Sequence, residues 1–220
     1  MPANIPTPSK FSREVEGYTL GLTSSSLLPE LARIVAENYL SLGDWELAKE
    51  RILASNALQC RSANSAIRLE RELRQRLGRL TQDQIIIAAQ ATAGDRAAIA
   101  WLAVCKSSRF AFEFASDVLR EKFACHDVIL RPSDYEAYVE NKSLTHPELG
   151  RLTPISKSKV RQVLLRMLVE AGMLVPGKPL GTLQRPTLSP NVMRAILGDN
   201  PGWLAGFLVP DSEIANRQTP

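Results

Sequence analysis

The sequence predicts a mainly α-helical protein. An N-terminal helical, bundle-like domain is followed by a winged-helix-like domain, that is, a helix-turn-helix plus a β-hairpin. Three observations predict this. Apolar residues recur at helical spacing in segment after segment. A short helical stretch, SLTHPELGRL, leads through a turn into a longer basic one, TPISKSKVRQVLLRMLVEAG. After it, MLV and TLS flank a Pro/Gly loop, PGKPLGTLQRP, in the manner of a hairpin. The expected layout is a flexible arm at 1–16, a helical domain at 17–125, a winged-helix-like domain at 126–195 and a C-terminal extension at 196–220.

Each element has its own signal. Ser26 can cap a helix reaching Leu42, with Leu27, Leu31, Ile34 and Val35 inward and Gly43 closing it. Asp44 caps WELAKERILASN, which ends near Asn56. A third helix covers Asn64 to Leu77, with Ala66, Leu69, Leu73, Leu77 and Leu80 inward and Arg68, Arg71 and Arg79 roughly opposite. Residues 85–104, IIIAAQATAGDRAAIAWLAV, read as two buried helices turning at Gly94-Asp95. They do not read as a membrane span, because Asp95 and Arg96 fall at the middle, where each charge costs about 2.5–3.5 kcal/mol. SSRFAFEFASDVLREKFA is a helix with Phe110, Phe114, Val118, Leu119 and Phe123 as core. DVIL suggests a short strand, and Pro132-Ser133 starts the helix SDYEAYVENK. Beyond the hairpin come a closing helix at Val192–Leu197 and a docked tail with Trp203 and Phe207. The final DSEIANRQTP reads as disordered.

Composition supports a soluble chain: of 220 residues, 45% are hydrophobic and 23% charged, ordinary for a globular protein. The net charge of +4 is unevenly spread. Residues 151–195 hold eight Lys or Arg against one acid, which suggests a polyanionic partner. A solvated basic surface without a partner is the plain alternative. Three unclustered cysteines and an N-terminus without an apolar core fit a reducing cytoplasm, not secretion.

The basic helix concentrates the candidates. Thr153 or Ser156 can cap it, and Val160, Val163, Leu164, Met167, Leu168 and Ala171 form its apolar stripe. At about 100° per residue, Lys159, Gln162 and Arg166 fall together on the opposite side. Lys157 and Arg161 are expected on opposite flanks of the stripe. The only acid in the helix is Glu170, in its last turn. Phosphate contacts from Lys and Arg give affinity without base reading, and Gln162 alone offers a bidentate option to adenine. Lys178 and Arg185, in the hairpin region, would lie along an adjacent groove or backbone. Arg61, Arg68, Arg71 and Arg79 form a possible second basic surface, although Glu70 and Glu72 interleave with them as on an ordinary solvated helix.

Catalytic patterns are missing. No phosphate-binding glycine loop, CxxC or HExxH occurs, so no enzyme activity, cofactor or metal site is expected. Cys125-His126 are sequence neighbours that point apart. His146 reads as a helix start before Pro147 and Glu148, with a phosphate contact as the lesser reading.

Over residues 17–195 the chain resembles the BrxA family of the bacterial BREX phage-defence system. The resemblance rests on YTLGLTSSSLLPELARIVAENYL, on DWELAKERILASNALQCRSANSAIRLERELRQRL and most of all on HPELGRLTPISKSKVRQVLLRMLVEAGML. It implies a mostly helical soluble protein whose winged-helix-like part binds double-stranded DNA, with other BREX proteins as partners and no known enzymatic activity. The residues and the resemblance together lead to an expectation of sequence-tolerant duplex binding. A protein scaffold with incidental nucleic-acid binding remains the alternative, since fold does not settle function. A transcription regulator would need a dimerisation segment, and none is legible.

Overall fold

The computed structural model describes residues 17–18 and 26–217; the arm expected at 1–16 lies outside them. The chain is mainly helical, with one small three-stranded sheet among the described residues. It divides into two compact units. The first takes Leu27–Ser107 and Leu188–Ala195. The second takes Ser108–Thr187 and the chain from Ile196, together with residues ahead of Leu27. The break thus falls at Ser107–Ser108, not at 125–126. The reason is aromatic packing: Phe110 and Phe114 lie 5.2–6.4 Å, centroid to centroid, from Tyr135 and Tyr138. That packing ties the 109–124 segment to the helix bearing the two tyrosines.

In the first unit, α1 (Pro29–Leu42) starts with Pro29 in its first turn after Leu28 at φ 52, so Ser26 is not its cap. Gly43, at φ 69, closes it by donating its N–H to the Tyr39 carbonyl. Asp44 caps α2 (Trp45–Ala54) by accepting from the Glu46 and Leu47 amides at 2.8 and 2.9 Å. Ser62 caps α3 (Ala63–Leu77). Thr81 and Gln84 form a reciprocal capping box at the start of α4 (Gln82–Gln90). α5 (Ala93–Ser107) begins earlier than expected. The turn is Ala91-Thr92, and Gly94-Asp95 belong to the first helical turn. Thr92 Oγ1 accepts the Asp95 amide at 3.3 Å, and Asp95 sits where the helix dipole favours an acid. α1 packs on α2, α3, α4 and α5. Val35, Ala36, Ile52, Leu73, Leu77 and Ile99 are buried in this unit. Among the described residues no helix is long and apolar enough to cross a membrane.

The second unit opens with α6 (Arg109–Glu113), capped by Ser108. It runs through a π-helical turn (Phe114–Leu119) into α7 (Arg120–Ala124). Phe110, Phe114 and Leu119 are buried as expected, whereas Val118 and Phe123 are only half-buried. Strand β1 (Ile129–Leu130) precedes α8 (Pro132–Ser143), α9 (Pro147–Gly150) and α10 (Pro154–Glu170). The chain leaves α10 through Gly172 at φ 70 and forms β2 (Leu174–Val175) and β3 (Gly181–Leu183). The sheet is antiparallel in the order β1-β3-β2, with Leu130 opposite Gly181 and Val175 opposite Thr182.

The expected hairpin forms, but its second strand is Gly-Thr-Leu at 181–183 and not Thr-Leu-Ser at 187–189. Glycine decides this. A Cβ at Gly181 would stand 2.5 Å from the Val175 carbonyl oxygen, so only glycine fits between the strands. After α11 (Pro190–Leu197) a 3₁₀ helix (Pro201–Phe207) buries Trp203, Leu204 and Phe207. The Trp203 ring meets Phe112 edge-on at 5.0 Å. Asp211–Asn216, expected to be disordered, forms α12. Ile214 is buried, and Glu213 takes Arg185 in two hydrogen bonds, which is enough to order a short terminal helix.

Candidate nucleic-acid interface

α10 is fixed from one side. Val160, Leu164, Met167 and Leu168 are buried, and burial of such side chains stabilises by about 1.5–3 kcal/mol each. Thr153, not Ser156, supplies the cap, accepting the Ser156 amide at 3.2 Å. Only three residues, Arg151 to Thr153, separate α9 from α10.

With that stripe inward, the opposite arc is set. Lys159, Gln162 and Arg166 are all exposed, and none has a hydrogen-bond or ion-pair partner among the described residues. They cover about 10.5 Å along the axis at 1.5 Å per residue. Ile155 stands on the same arc, 82% exposed, one turn before Lys159. Ile155 was not among the residues expected on this face. The helical wheel that groups the three polar residues carries its signal too, four residues ahead of Lys159. Exposed Arg151, in the turn itself, is a further basic group the sequence did not single out.

The remaining candidates separate. Lys157 and Arg161 are four residues apart in a regular helix, hence about 40° apart. They share one flank of the stripe, a correction to the opposite flanks expected. Both are half-buried, and Arg161 reaches Glu136 at 3.4 Å. Lys178 is exposed at the tip of the hairpin, between β2 and β3. Arg185 lies beyond β3 and is clasped by Glu213 at 2.7 and 2.6 Å. Hydrogen bonds from Arg185, and then from Arg217, pull the Glu213 carboxyl down to about 2.

His146 is not a surface group. It is buried at the start of α9, and its ring stacks on Tyr18 at 3.8 Å with Nδ1 3.2 Å from Glu148 Oε1. The Tyr18 amide donates to that same carboxylate, and the Tyr18 hydroxyl donates to Glu113 at 2.6 Å. Burial pushes the Glu113 carboxyl up, but donors from Lys142, Tyr18 and Arg109 outweigh it and hold it below its ordinary value. The cluster joins Tyr18 to the α6–α9 region and holds His146 in the interior through its ring face and Nδ1.

In the first unit Arg61, Arg68, Arg71 and Arg79 are all exposed. The link from α2 to α3 takes eight residues, Ser55 to Ser62, longer than a tight helix-turn-helix turn. Among the described residues no group of three or more His, Cys, Asp or Glu is placed to hold a metal ion.

A profile of the BrxA family matches residues 16–199. A Bacillus cereus protein described as BREX protein BrxA is 33% identical over 104 residues, 46% of this chain. That match spans about half of the relative's length, 52%. An Escherichia coli protein of the same description is 25% identical over 151 residues, 69% of this chain and 71% of the relative. Among solved structures, an uncharacterized protein from Magnetospirillum magneticum superposes with a TM-score of 0.72 at 20% identity, over 88% of this chain and 98% of that one. That likeness concerns the fold.

Proposed function

The chain belongs to the BrxA family, and from that premise we propose that it is a non-enzymatic, double-stranded DNA-binding component of a bacterial BREX phage-defence system. One observation supports this above the others: α10 turns an exposed, unpaired Lys159–Gln162–Arg166 face to solvent, directly after a three-residue turn. The order β1, α8, α9, α10, β2, β3 with strands paired β1-β3-β2 is the arrangement we read as a winged helix. In that reading α10 approaches the major groove, about 12 Å wide, and Lys178 tracks the adjacent backbone. Lys159 and Arg166 meet phosphates, so affinity comes from counterion release and tolerates sequence. Gln162 and Ile155 can touch an adenine edge and a thymine methyl, which allows a mild A·T preference.

A second reading is a scaffold that docks on another BREX protein. Leu144 and Ile155, 83% and 82% exposed on either side of α9, favour it, since large apolar side chains anchor protein interfaces. Fluorescence anisotropy of a labelled duplex over a salt series separates the two. Each phosphate contact adds about 0.9 to the slope of log K against log salt, so two contacts are worth about 30-fold at 0.15 M salt. The DNA reading expects Lys159→Ala/Arg166→Ala to lose that much. Unchanged binding by the folded variant removes α10 from the DNA interface, whereas a wild-type chain that binds no duplex even at low salt leaves the scaffold.

A further inference from the structure

We propose that the second unit carries a masked polyanion seat, made by Arg120 and Arg185, and that the chain's own acidic helix α12 fills it until an external polyanion takes its place. The two arginines come from distant parts of the sequence, the start of α7 and the stretch after β3. α12 meets both within its first turn. Asp211 accepts from Arg120 at 2.5 Å. Glu213, two residues on, accepts from both terminal nitrogens of Arg185 at 2.7 and 2.6 Å.

Each arginine is arranged to hold an anion. Arg185 grips its carboxylate with the two-pronged geometry that a guanidinium also uses for phosphate. Arg120 is held from behind. Its Nε donates at 3.1 Å to the carbonyl of Ser116, in the π-helical turn, while a terminal nitrogen faces α12. That backbone contact does not involve α12, so Arg120 stays aimed when the helix leaves. The Glu213 carboxyl titrates at about 2, so at neutral pH the seat meets a full negative charge.

The occupant is weakly held. α12 has six residues, too few for a stable isolated helix. Among them only Ile214 is buried. The ion pairs are wet: Asp211 is 58% exposed, and Arg185 and Glu213 are 32% and 30% exposed. Pairs of this kind contribute little each and weaken with salt. Such an element opens locally while the rest of the fold stays intact.

Two carboxylates on two arginines are a local stand-in for two phosphates. While α12 is docked, a phosphate must displace a carboxylate to reach either arginine, so the contact adds almost nothing to affinity. Once α12 leaves, each arginine offers a phosphate contact. That the polyanion is duplex DNA rests on the function proposed above; the masking does not.

The test uses the full chain and three variants. Asp211→Asn/Glu213→Gln releases the helix. Asp211→Asn/Glu213→Gln/Arg120→Ala/Arg185→Ala releases it and removes the seat. Glu50→Gln/Asp83→Asn neutralises two exposed acids elsewhere and makes the same change in net charge. Heparin-affinity elution reads polyanion binding, and anisotropy of a labelled duplex over a salt series reads DNA binding. Circular-dichroism melts check that each chain is folded. The released chain should elute at higher salt than the charge-matched control. It should bind the duplex about 30-fold more tightly than wild type at 0.15 M salt, with a slope steeper by about 2. The fourfold variant should lose both gains. A released chain that behaves like wild type overturns the proposal. Equal gains in the released and charge-matched chains, or a gain that survives removal of both arginines, also overturn it, because bulk charge then explains the effect. Higher heparin retention with no duplex binding by any chain keeps the masked seat and sinks the DNA reading.

Discussion

Replacing Arg185 by alanine should weaken the fold and leave DNA binding almost untouched. The sequence placed Arg185 with Lys178 on a basic wing, but the structure gives it a carboxylate. Its two terminal nitrogens donate to Glu213 at 2.7 and 2.6 Å, and Arg217 donates to the same group at 2.8 Å. The partners are 32% and 30% exposed, so solvent screens the pair. Exposed pairs are worth about 0.2–1 kcal/mol, and bidentate geometry puts this one near about 1 kcal/mol. For a chain of this size that is a fall of about 2–4 °C in Tm.

Glu213 sets the pH dependence. Its folded carboxyl titrates at about 2, below the ordinary 4.5, because it accepts from Arg185 and Arg217. A depressed carboxyl contributes stability above its unfolded value and loses it as the pH falls toward the folded one. The Tm gap between wild type and Arg185→Ala should be constant from about pH 5 to 7 and close between 4.5 and about 2. Circular-dichroism melts at several pH values measure it, with duplex anisotropy alongside. Lys178→Ala, which removes an exposed hairpin charge, should lose about 5-fold in affinity at 0.15 M salt, and Arg185→Ala less than about 2-fold. An Arg185→Ala protein with an unchanged Tm and a 5-fold loss of DNA affinity would refute the clasp and return Arg185 to the interface.

Two further outcomes are expected. Gly181→Ala should lower Tm by about 2–12 °C in a melting experiment, since its Cβ would meet the Val175 carbonyl at 2.5 Å and such overpacking costs about 1–3 kcal/mol; an unchanged melt would mean that the hairpin yields freely. Burial pushes the Cys105 thiol well up, and it is fully enclosed, whereas Cys125 is exposed. A thiol-reactive chromophore at pH 8 should therefore modify Cys125 in the native chain and Cys105 only in denaturant, read by peptide mass mapping.

Much of this protein was legible before its structure. Helical periodicity gave the mainly α fold, the caps Asp44 and Thr153 bound α2 and α10, and a wheel grouped Lys159, Gln162 and Arg166. These are local properties, set by 3.6-residue repetition and by side chains bonding to amides two or three residues away. The BrxA membership was readable for a related reason, since it rests on residues in contiguous blocks. The misplaced details have long-range causes. The π-helical turn at Phe114–Leu119 has no periodic signature. The second hairpin strand moved to Gly181–Leu183 because a cross-strand carbonyl excludes any Cβ at Gly181. Asp211–Asn216 is helical because Glu213 meets Arg185, 28 residues earlier. The charge of a face is likewise tertiary. Sequence counts four arginines and two glutamates along α3, but burial of Glu70 and the turning of Glu72 onto Arg76 decide which of them the solvent meets. Sequence determined the helices from α1 to α11 in outline and the way the α10 stripe points, but not the π-helical turn or α12. Packing alone decided which charges are answered inside the fold, because an ion pair depends on distance in space and not on distance along the chain.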